Sequence, residues 1–384
     1  MSQRRTLVTS VAMGVVSVGL CLLLLEATFR LFPHLLPIGI YGASRFDSEL
    51  GMSVHAAPVI YNKARFVVRE PNAEGFLDID HDHRKRLGVV RIGFFGDSFV
   101  EAAQVPFDQV FYRLLPDRIA GRQIDPLGFG ISGWGTLHSF LAYKAKEDIY
   151  DLDLAVYVFV ENDPGDNTFD VKGALHGSAN SVFAQLSPLP PGFELTRRIP
   201  FEQQGGVLGA AKWVQQRSLL ARLVWNRVAL LLGHGTALRQ AEAQDEMATH
   251  AGGIPNQNDL PSSWPAPYRQ RAEDLGHRIL AAWQNQARID GCGLIVLYVP
   301  RGETQLRGEL AQSDTWLPWL RSVTQDLGIA FLDPSDLLEQ RLESGDRVYD
   351  DHWTPAGHEV IAVVLEEFIA SWLREGGRRV SAHR

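Results

Sequence analysis

The chain predicts a three-layer α/β/α domain with about five parallel strands, preceded by one transmembrane helix. Three observations predict it. Short apolar runs alternate with stretches of helical periodicity, the pattern of parallel βαβ units. Glycine and polar residues cluster just after those runs, where parallel sheets bind ligands at the carboxyl ends of their strands. Thr6 to Leu25 carries no charge, and about twenty such residues at ~1.5 Å each cross a ~30 Å hydrocarbon core as a helix.

The elements follow in order. Residues 1–32 read as a cytoplasmic tip and signal anchor. Arg4 and Arg5 precede the apolar run, which by the positive-inside tendency keeps the start in the cytoplasm and sends the rest outward, to a periplasmic or extracellular location. Glu26 and Arg30 can pair at i,i+4 where the helix reaches the interface. A cleaved signal peptide is the rival reading, but the apolar run is long and no small-x-small site follows it before Phe29. Leu20 is too bulky before Cys21 for a lipoprotein site, and Cys292, the only other cysteine, opens an apolar run. No disulfide framework is implied.

Residues 33–87, rich in Pro, Gly and isolated aromatics, read as a stalk and irregular N-terminal layer with short strand-like pieces such as Ala64 to Val68. The main domain is expected over 88–376. Val89 to Phe95 reads as a buried strand, Val105 to Ala120 and Trp134 to Glu147 as helices, and Asp153 to Val160 as a strong strand. The pattern resumes with a helix from Tyr268 to Ile289, a strand from Gly293 to Val299, a helix from Trp316 to Leu327, a short strand from Ile329 to Leu332 and a closing helix from Pro355 to Leu373. Between them, 169–267 reads as an insertion or cap, with a helix from Val214 to Leu232 and a mobile polar stretch from Gln240 to Ser263. Residues 377–384 form a tail.

A net charge of −8 and no basic stripe argue against a nucleic-acid partner. His81-Asp82-His83 lacks further ligands at metal-site spacing and reads as a solvated turn, so no metal and no cofactor is expected.

Four places carry the chemistry. Gly96-Asp97-Ser98 follows the first strand, and a serine hydroxyl there is a poor nucleophile unless an imidazole takes its proton and a carboxylate orients that imidazole. The start of a helix there favours developing negative charge. The glycines of Gly128 to Gly135 let a backbone N–H approach a substrate oxygen. Asn162, after the Asp153 to Val160 strand, offers a side-chain NH₂. Asp350-Asp351-His352, ahead of the last helix, supplies a base and an acid. Trp134 and Trp353 suit either the floor of a substrate pocket or plain core. His358 reads as structural, and Asp163, Asp166 and Asn167 as fixing loop geometry.

In this order, Phe94-Phe95-Gly96-Asp97-Ser98-Phe99-Val100-Glu101, Phe129-Gly130-Ile131-Ser132-Gly133-Trp134-Gly135-Thr136, Asn162-Asp163 and Asp351-His352-Trp353-Thr354-Pro355-Ala356-Gly357-His358 resemble the SGNH, or GDSL-type, hydrolase superfamily, and within it the membrane-anchored bacterial members. The resemblance covers roughly 87–169 and 268–373 and omits the insertion. It implies the three-layer flavodoxin-like SGNH fold, with Ser98 as nucleophile, His352 as general base and Asp350 as the orienting acid. It also implies an oxyanion hole from Ser98 N–H, Gly130 N–H and the Asn162 side chain. Two departures stand out. Glu161 occupies the place of a common glycine, which would set a negative charge near the mouth of the site, and the acid three residues before the histidine is replaced by Tyr349, which leaves Asp350, with Asp351 in reserve. The implied activity is a serine esterase acting on O-acyl, including O-acetyl, esters through an acyl-enzyme, with carbohydrate as one candidate alcohol. An O-acetyltransferase acting on an envelope or exported polysaccharide shares the same triad. A non-catalytic envelope assembly protein is the third reading.

Overall fold

The computed structural model describes residues 2–119, 121–168, 182–197, 203, 205–228 and 259–377. A long apolar helix, α1 (Ser2–Leu31), leads into a three-stranded antiparallel sheet of β1 (Gly39–Asp47), β2 (Met52–Asn62) and β3 (Phe66–Arg69). β3 overlaps the strand-like piece expected at Ala64 to Val68. The strands of this N-terminal layer are longer than the short pieces expected, because β2 buries Met52, Val54, Ala57, Val59, Ile60 and Tyr61 against the rest of the protein.

The central sheet contains β4 (Val89–Gly96), β5 (Gln123–Gly130), β6 (Leu154–Phe159), β9 (Gly293–Tyr298) and β10 (Ala330–Leu332), in the spatial order β5-β4-β6-β9-β10 with every pair parallel. The five parallel strands expected from the sequence are therefore present. This is the 2-1-3-4-5 order of flavodoxin-like sheets, whose direction reverses at the first strand, so a crevice opens beyond the carboxyl end of β4. Strand alternation divides the core between two faces. Phe95 points into a cluster with Phe129, Tyr157 and Trp283, while Phe94 points into one with Phe111, Tyr112 and Ile361.

Helices cover both faces. The single turn α2 (Ser98–Glu101) follows β4. The helix expected from Val105 to Ala120 is broken into turns at Phe107–Gln109 and Phe111–Leu114 and a short α3 (Leu115–Arg118). Pro106 and Pro116 lack the N–H groups a continuous helix would use. Then come α4 (Thr136–Tyr150), α5 (Asp163–Asn167), a hairpin of β7 (Val182–Leu186) and β8 (Phe193–Arg197), α6 (Gly206–Arg217) and helical residues 219–228 (α7). Beyond them are α8 (Ala266–Asp290), α9 (Glu303–Leu306), α10 (Leu317–Leu327), α11 (Ser335–Glu343), the two-residue strands β11 (Tyr349–Asp350) and β12 (His352–Trp353), and α12 (Pro355–Arg374).

The helix expected from Val214 to Leu232 is interrupted at Ser218, where Glu26 of α1 accepts hydrogen bonds from Leu219 N (3.1 Å) and Leu220 N (2.9 Å) and so caps a new helix start. The rest of that helix and most of the stretch from Gln240 to Ser263 lie outside the described residues, as does most of the tail.

The amino-terminal half of the sheet is locked by charge. Arg91 on β4 is buried opposite its register partner Asp125 on β5. It donates to the Asp125 carboxylate (3.1 Å) and to the backbone carbonyls of His83, Tyr150 and Asp82. The segment expected to be a solvated turn is therefore wrapped around a guanidinium, and the His81 ring is buried between Asp78 (3.1 Å) and Asp125 (3.0 Å). Burial alone would lower the His81 pKa, but the two carboxylates raise it to about 9. No group of three or more His, Cys, Asp or Glu poised for a metal occurs among the described residues.

Candidate active site

Ser98 follows directly from the end of β4, and His352 from the short β11–β12 hairpin ahead of α12. The fold brings them together: His352 Nε2 lies 2.7 Å from Ser98 Oγ. Both side chains are half-buried. Asp97 caps the α2 turn by accepting from Phe99 N at 2.9 Å, and its other oxygen is 3.3 Å from Ser98 Oγ. A serine hydroxyl has one proton, so Asp97 and the imidazole compete for it, and the imidazole contact is the shorter. Burial lowers the His352 pKa against the opposing charges of Asp351 and Glu101. The ring is thus held in the neutral form that a general base requires. The Phe99 ring packs on it at a centroid distance of 4.8 Å.

The carboxylates are arranged differently from the expectation. Asp350 is the register partner of His352 across the hairpin, yet its carboxylate turns to Arg347 Nη2 (3.1 Å) and Arg65 Nη2 (3.8 Å). Two guanidinium groups outcompete one neutral ring for it. Asp351 adopts a left-handed backbone (φ 71°) at the bend. That bend carries its Oδ2 to 3.7 Å from His352 Nδ1, with Lys63 Nζ also 3.7 Å away. The acid nearest the ring is the one held in reserve.

Gly130 ends β5 beside Gly96. A Cβ here would meet Glu101 N at 2.4 Å and Val100 Cβ at 2.6 Å, so only glycine lets the serine turn lie across β5. Because α2 is one turn long, it contributes little macrodipole. Asn162 donates from Nδ2 to Asp166 Oδ2 at 2.7 Å, which orients the amide and occupies one of its two N–H groups. Asn167 ties the same loop to α4 through Leu137 N (2.8 Å) and Thr136 Oγ1 (3.1 Å). Trp353 is core, fully buried with Nε1 on Tyr349 OH. Trp134 is also buried but lines a cleft. His358 is buried, stacked on Phe111 and bonded by Phe111 N.

Glu161 lines the cleft beside Asn162, yet it is buried and bonded inward. Its carboxylate accepts from Tyr298 OH (2.7 Å) and from Trp316 N at the head of α10. Burial raises its pKa to about 7 despite those donors.

Several residues beside Ser98 make contacts that the local sequence does not announce. Glu101, one turn after Ser98, lies 2.8 Å from His55 Nε2 of β2 and accepts from Ser132 N (2.7 Å) and Ser132 Oγ. Burial would raise its pKa, but the His55 and Ser132 contacts bring it below the usual carboxylate range. Arg69 of β3 donates to Ala102 O and Val105 O behind the serine turn. With Lys63 and Arg65, the N-terminal sheet reaches the serine turn and the histidine loop alike. Their dependence on a partner sheet some forty residues upstream hides these contacts from local sequence patterns, although a glutamate one turn past the serine is itself a signal.

Two clefts lie near the serine turn, one meeting it through His55 and Ser132, the partners of Glu101, and the other through Phe99. One of about 220 Å³ is lined by His55, Ser132, Trp134, Lys212 and Gln215 among others. The other, about 230 Å³, is lined by Phe99, Asn162, Arg301, Tyr349 and Asp351 among others.

No family model and no curated protein matches the chain. Similar solved structures include TesA, at 11% identity over 73% of this chain and 97% of that one, with a TM-score of 0.37. The psychrotrophic esterase EstA from Pseudoalteromonas sp. is 10% identical over 74% and 98%, with a TM-score of 0.38. The acetyl xylan esterase AlAXEase is 13% identical over 73% and 100%, with a TM-score of 0.37.

Proposed function

We propose that the protein is a membrane-anchored serine hydrolase acting on O-acyl esters. The observation that carries this reading is the 2.7 Å contact between Ser98 Oγ and His352 Nε2 at the switch point of a parallel sheet. Ser98 Oγ attacks the ester carbonyl carbon while His352 Nε2 takes the hydroxyl proton. The carbonyl oxygen becomes an oxyanion facing the Ser98 and Gly130 N–H groups and the Asn162 amide. Collapse breaks the bond to the alcohol, which leaves with the proton from His352. Water, deprotonated by the same ring, then releases the acid and regenerates Ser98. Asp351, or Asp350 after a rotamer change, stabilises the imidazolium.

Val8–Leu31 is apolar and long enough to span a bilayer. With the basic tip, it supports a reading in which the catalytic domain lies outside the cytoplasm.

The cleft of about 220 Å³ favours a hydroxylated alcohol, and so also transfer to a saccharide hydroxyl. Gln215 Oε1 is buried on its wall with no hydrogen-bond partner, beside Lys212 and Ser132. A buried carbonyl of this kind costs stability until a donor reaches it. The test is turnover of a chromogenic acetyl ester by the full chain in detergent, with and without an oligosaccharide acceptor. Wild type is expected to form a phosphonate adduct at Ser98, and Ser98→Ala to lose on the order of 10⁵-fold in kcat. Equal rates for both chains would sink the hydrolase reading. Acceptor-dependent acetylated product would promote transfer over hydrolysis.

A further inference from the structure

Helix α6 is built inside out. Val207, Ala210, Trp213, Val214 and Arg217 recur at three- and four-residue spacing, so they share one face, and that face is exposed: Val207 by 86% and Trp213 by 59%. The polar residues Lys212, Gln215 and Gln216 lie on the opposite face. Gln215 is buried, Lys212 Nζ lies 3.3 Å from Ser44 Oγ, and Gln216 Nε2 donates to Ser44 O at 2.8 Å. A helix packed on a water-soluble domain shows the reverse order, apolar side in and polar side out. The next helix, α7, continues the outward face. Leu219, Leu220 and Leu223 pack on a cluster containing Phe29 and Tyr41, while Val224 is 55% exposed and Val228 also faces out.

What should cover this face follows from its location. Glu26, in the last turns of α1, accepts from Ser218 Oγ (2.8 Å), Leu219 N and Leu220 N, and Arg30 donates to Arg217 O. The junction between α6 and α7 is therefore fastened to the end of the apolar span, at the height where that span's charged residues leave the hydrocarbon. The exposed side chains match that depth. Trp213 carries the Arg217 guanidinium 4.4 Å from its ring centroid, and Arg227 is exposed among the valines. Tryptophan beside arginine, with aliphatic residues on the same face, is the composition of the headgroup boundary.

We propose that α6 and α7 form a second membrane contact, an interfacial foot whose apolar face lies in the headgroup–acyl boundary of a lipid bilayer. The inference rests on the reading of α1 as a membrane span. The foot fixes the domain against the bilayer instead of leaving it on a swivelling tether. The polar face of the same helix supplies Lys212 and Gln215 to the cleft beside the serine turn, so that cleft stands next to the membrane surface and is suited to an alcohol presented there.

The test uses the full chain, with Cys21→Ala and Cys292→Ala, reconstituted in phosphatidylethanolamine–phosphatidylglycerol vesicles. Single nitroxides are introduced through Val16→Cys, Val207→Cys, Val224→Cys or Leu87→Cys. Collisions with dissolved oxygen and with a water-soluble nickel chelate report depth. The expected result is loss of nickel accessibility at Val207 and Val224, as at Val16, with Leu87 fully accessible. If Val207 and Val224 behave like Leu87 while Val16 stays dry, the foot is wrong and the anchor stands. If Val16 is also wet, the anchor falls and the foot with it. Dry labels with spin–spin broadening at Val207 would put a second copy on the face, which also overturns the lipid contact.

Discussion

The two ends of β4 and β5 differ in how completely their polar groups are satisfied. At the amino end, Arg91, Asp125, His81 and Asp78 form a closed network in which the guanidinium meets one carboxylate and three backbone carbonyls and the imidazole is bonded through both nitrogens. At the carboxyl end, Ser98, Asn162 and His352 are half-buried, and the Asn162 amide keeps an N–H free of the bond to Asp166. A closed network holds the sheet in register, and an open one can still bond a substrate. The division follows the rule that open parallel sheets bind ligands beyond their carboxyl ends.

Removing the guanidinium is the strongest way to break this contrast. Arg91→Met leaves three carbonyls and a carboxylate without their donor inside the protein, and loss of one member of a buried ionic network costs about 3–5 kcal/mol. Its denaturation midpoint should fall accordingly, while the folded variant keeps its ester-hydrolysis rate at low temperature. A collapse of turnover in the folded state would mean the two ends are not separable. At the other end, Asn162→Ala should cost about 10²- to 10³-fold in kcat with little change in KM, because an oxyanion donor acts on charge that develops only in the transition state. A loss below about five-fold would remove Asn162 from the hole.

Much of this architecture is legible in the sequence, and the missing parts share a cause. Phe94-Phe95 announces a strand buried on both faces, and the order of Ser98, Asn162 and His352 anticipates their common sheet edge. Local patterns do not reveal partners far along the chain. The expected helix through Val214 breaks at Ser218 because Glu26, almost two hundred residues earlier, caps it there. Glu161 looked like a charge at the mouth of the site, and its partners Tyr298 and Trp316 lie over a hundred residues away. The N-terminal sheet was hidden for a related reason. Polar residues such as His55 and Arg69 interrupt its alternation because they point at the active-site turn.

Titration offers a gentler probe of the closed end. His81 has a folded pKa of about 9 against 6.5 for a free histidine. The folded protein therefore binds more protons than the unfolded chain between those values. The stability this provides is fully present below pH 6.5 and is lost as pH rises through 9, for a total of ~3 kcal/mol. Wild type should lose stability across that window, and His81→Asn should show a flatter profile. Equal slopes in the two chains would mean that His81 is not held as an imidazolium.

The smallest effect decides which carboxylate serves the open end. Asp351 is closer to the imidazole, at 3.7 Å from Nδ1, but its side chain is 67% exposed. Water screens such a pair, and a charge interaction at that distance in water is worth about 1 kcal/mol, or roughly five-fold in rate. Asp351→Asn should lower kcat/KM by about that factor. It should also move the acid limb of the profile downward, since the Asp351 charge raises the His352 pKa against the lowering effect of burial. Asp350→Asn should leave both unchanged while its carboxylate stays with Arg347 and Arg65. If Asp350→Asn is instead the damaging change, the two arginines release that carboxylate when substrate arrives, and the residue opposite His352 in the hairpin register becomes its partner. Removing Arg347 would then raise activity, because the competing donor would be gone. The arginines would thus mark the difference between a surface salt bridge and a latch on the catalytic acid.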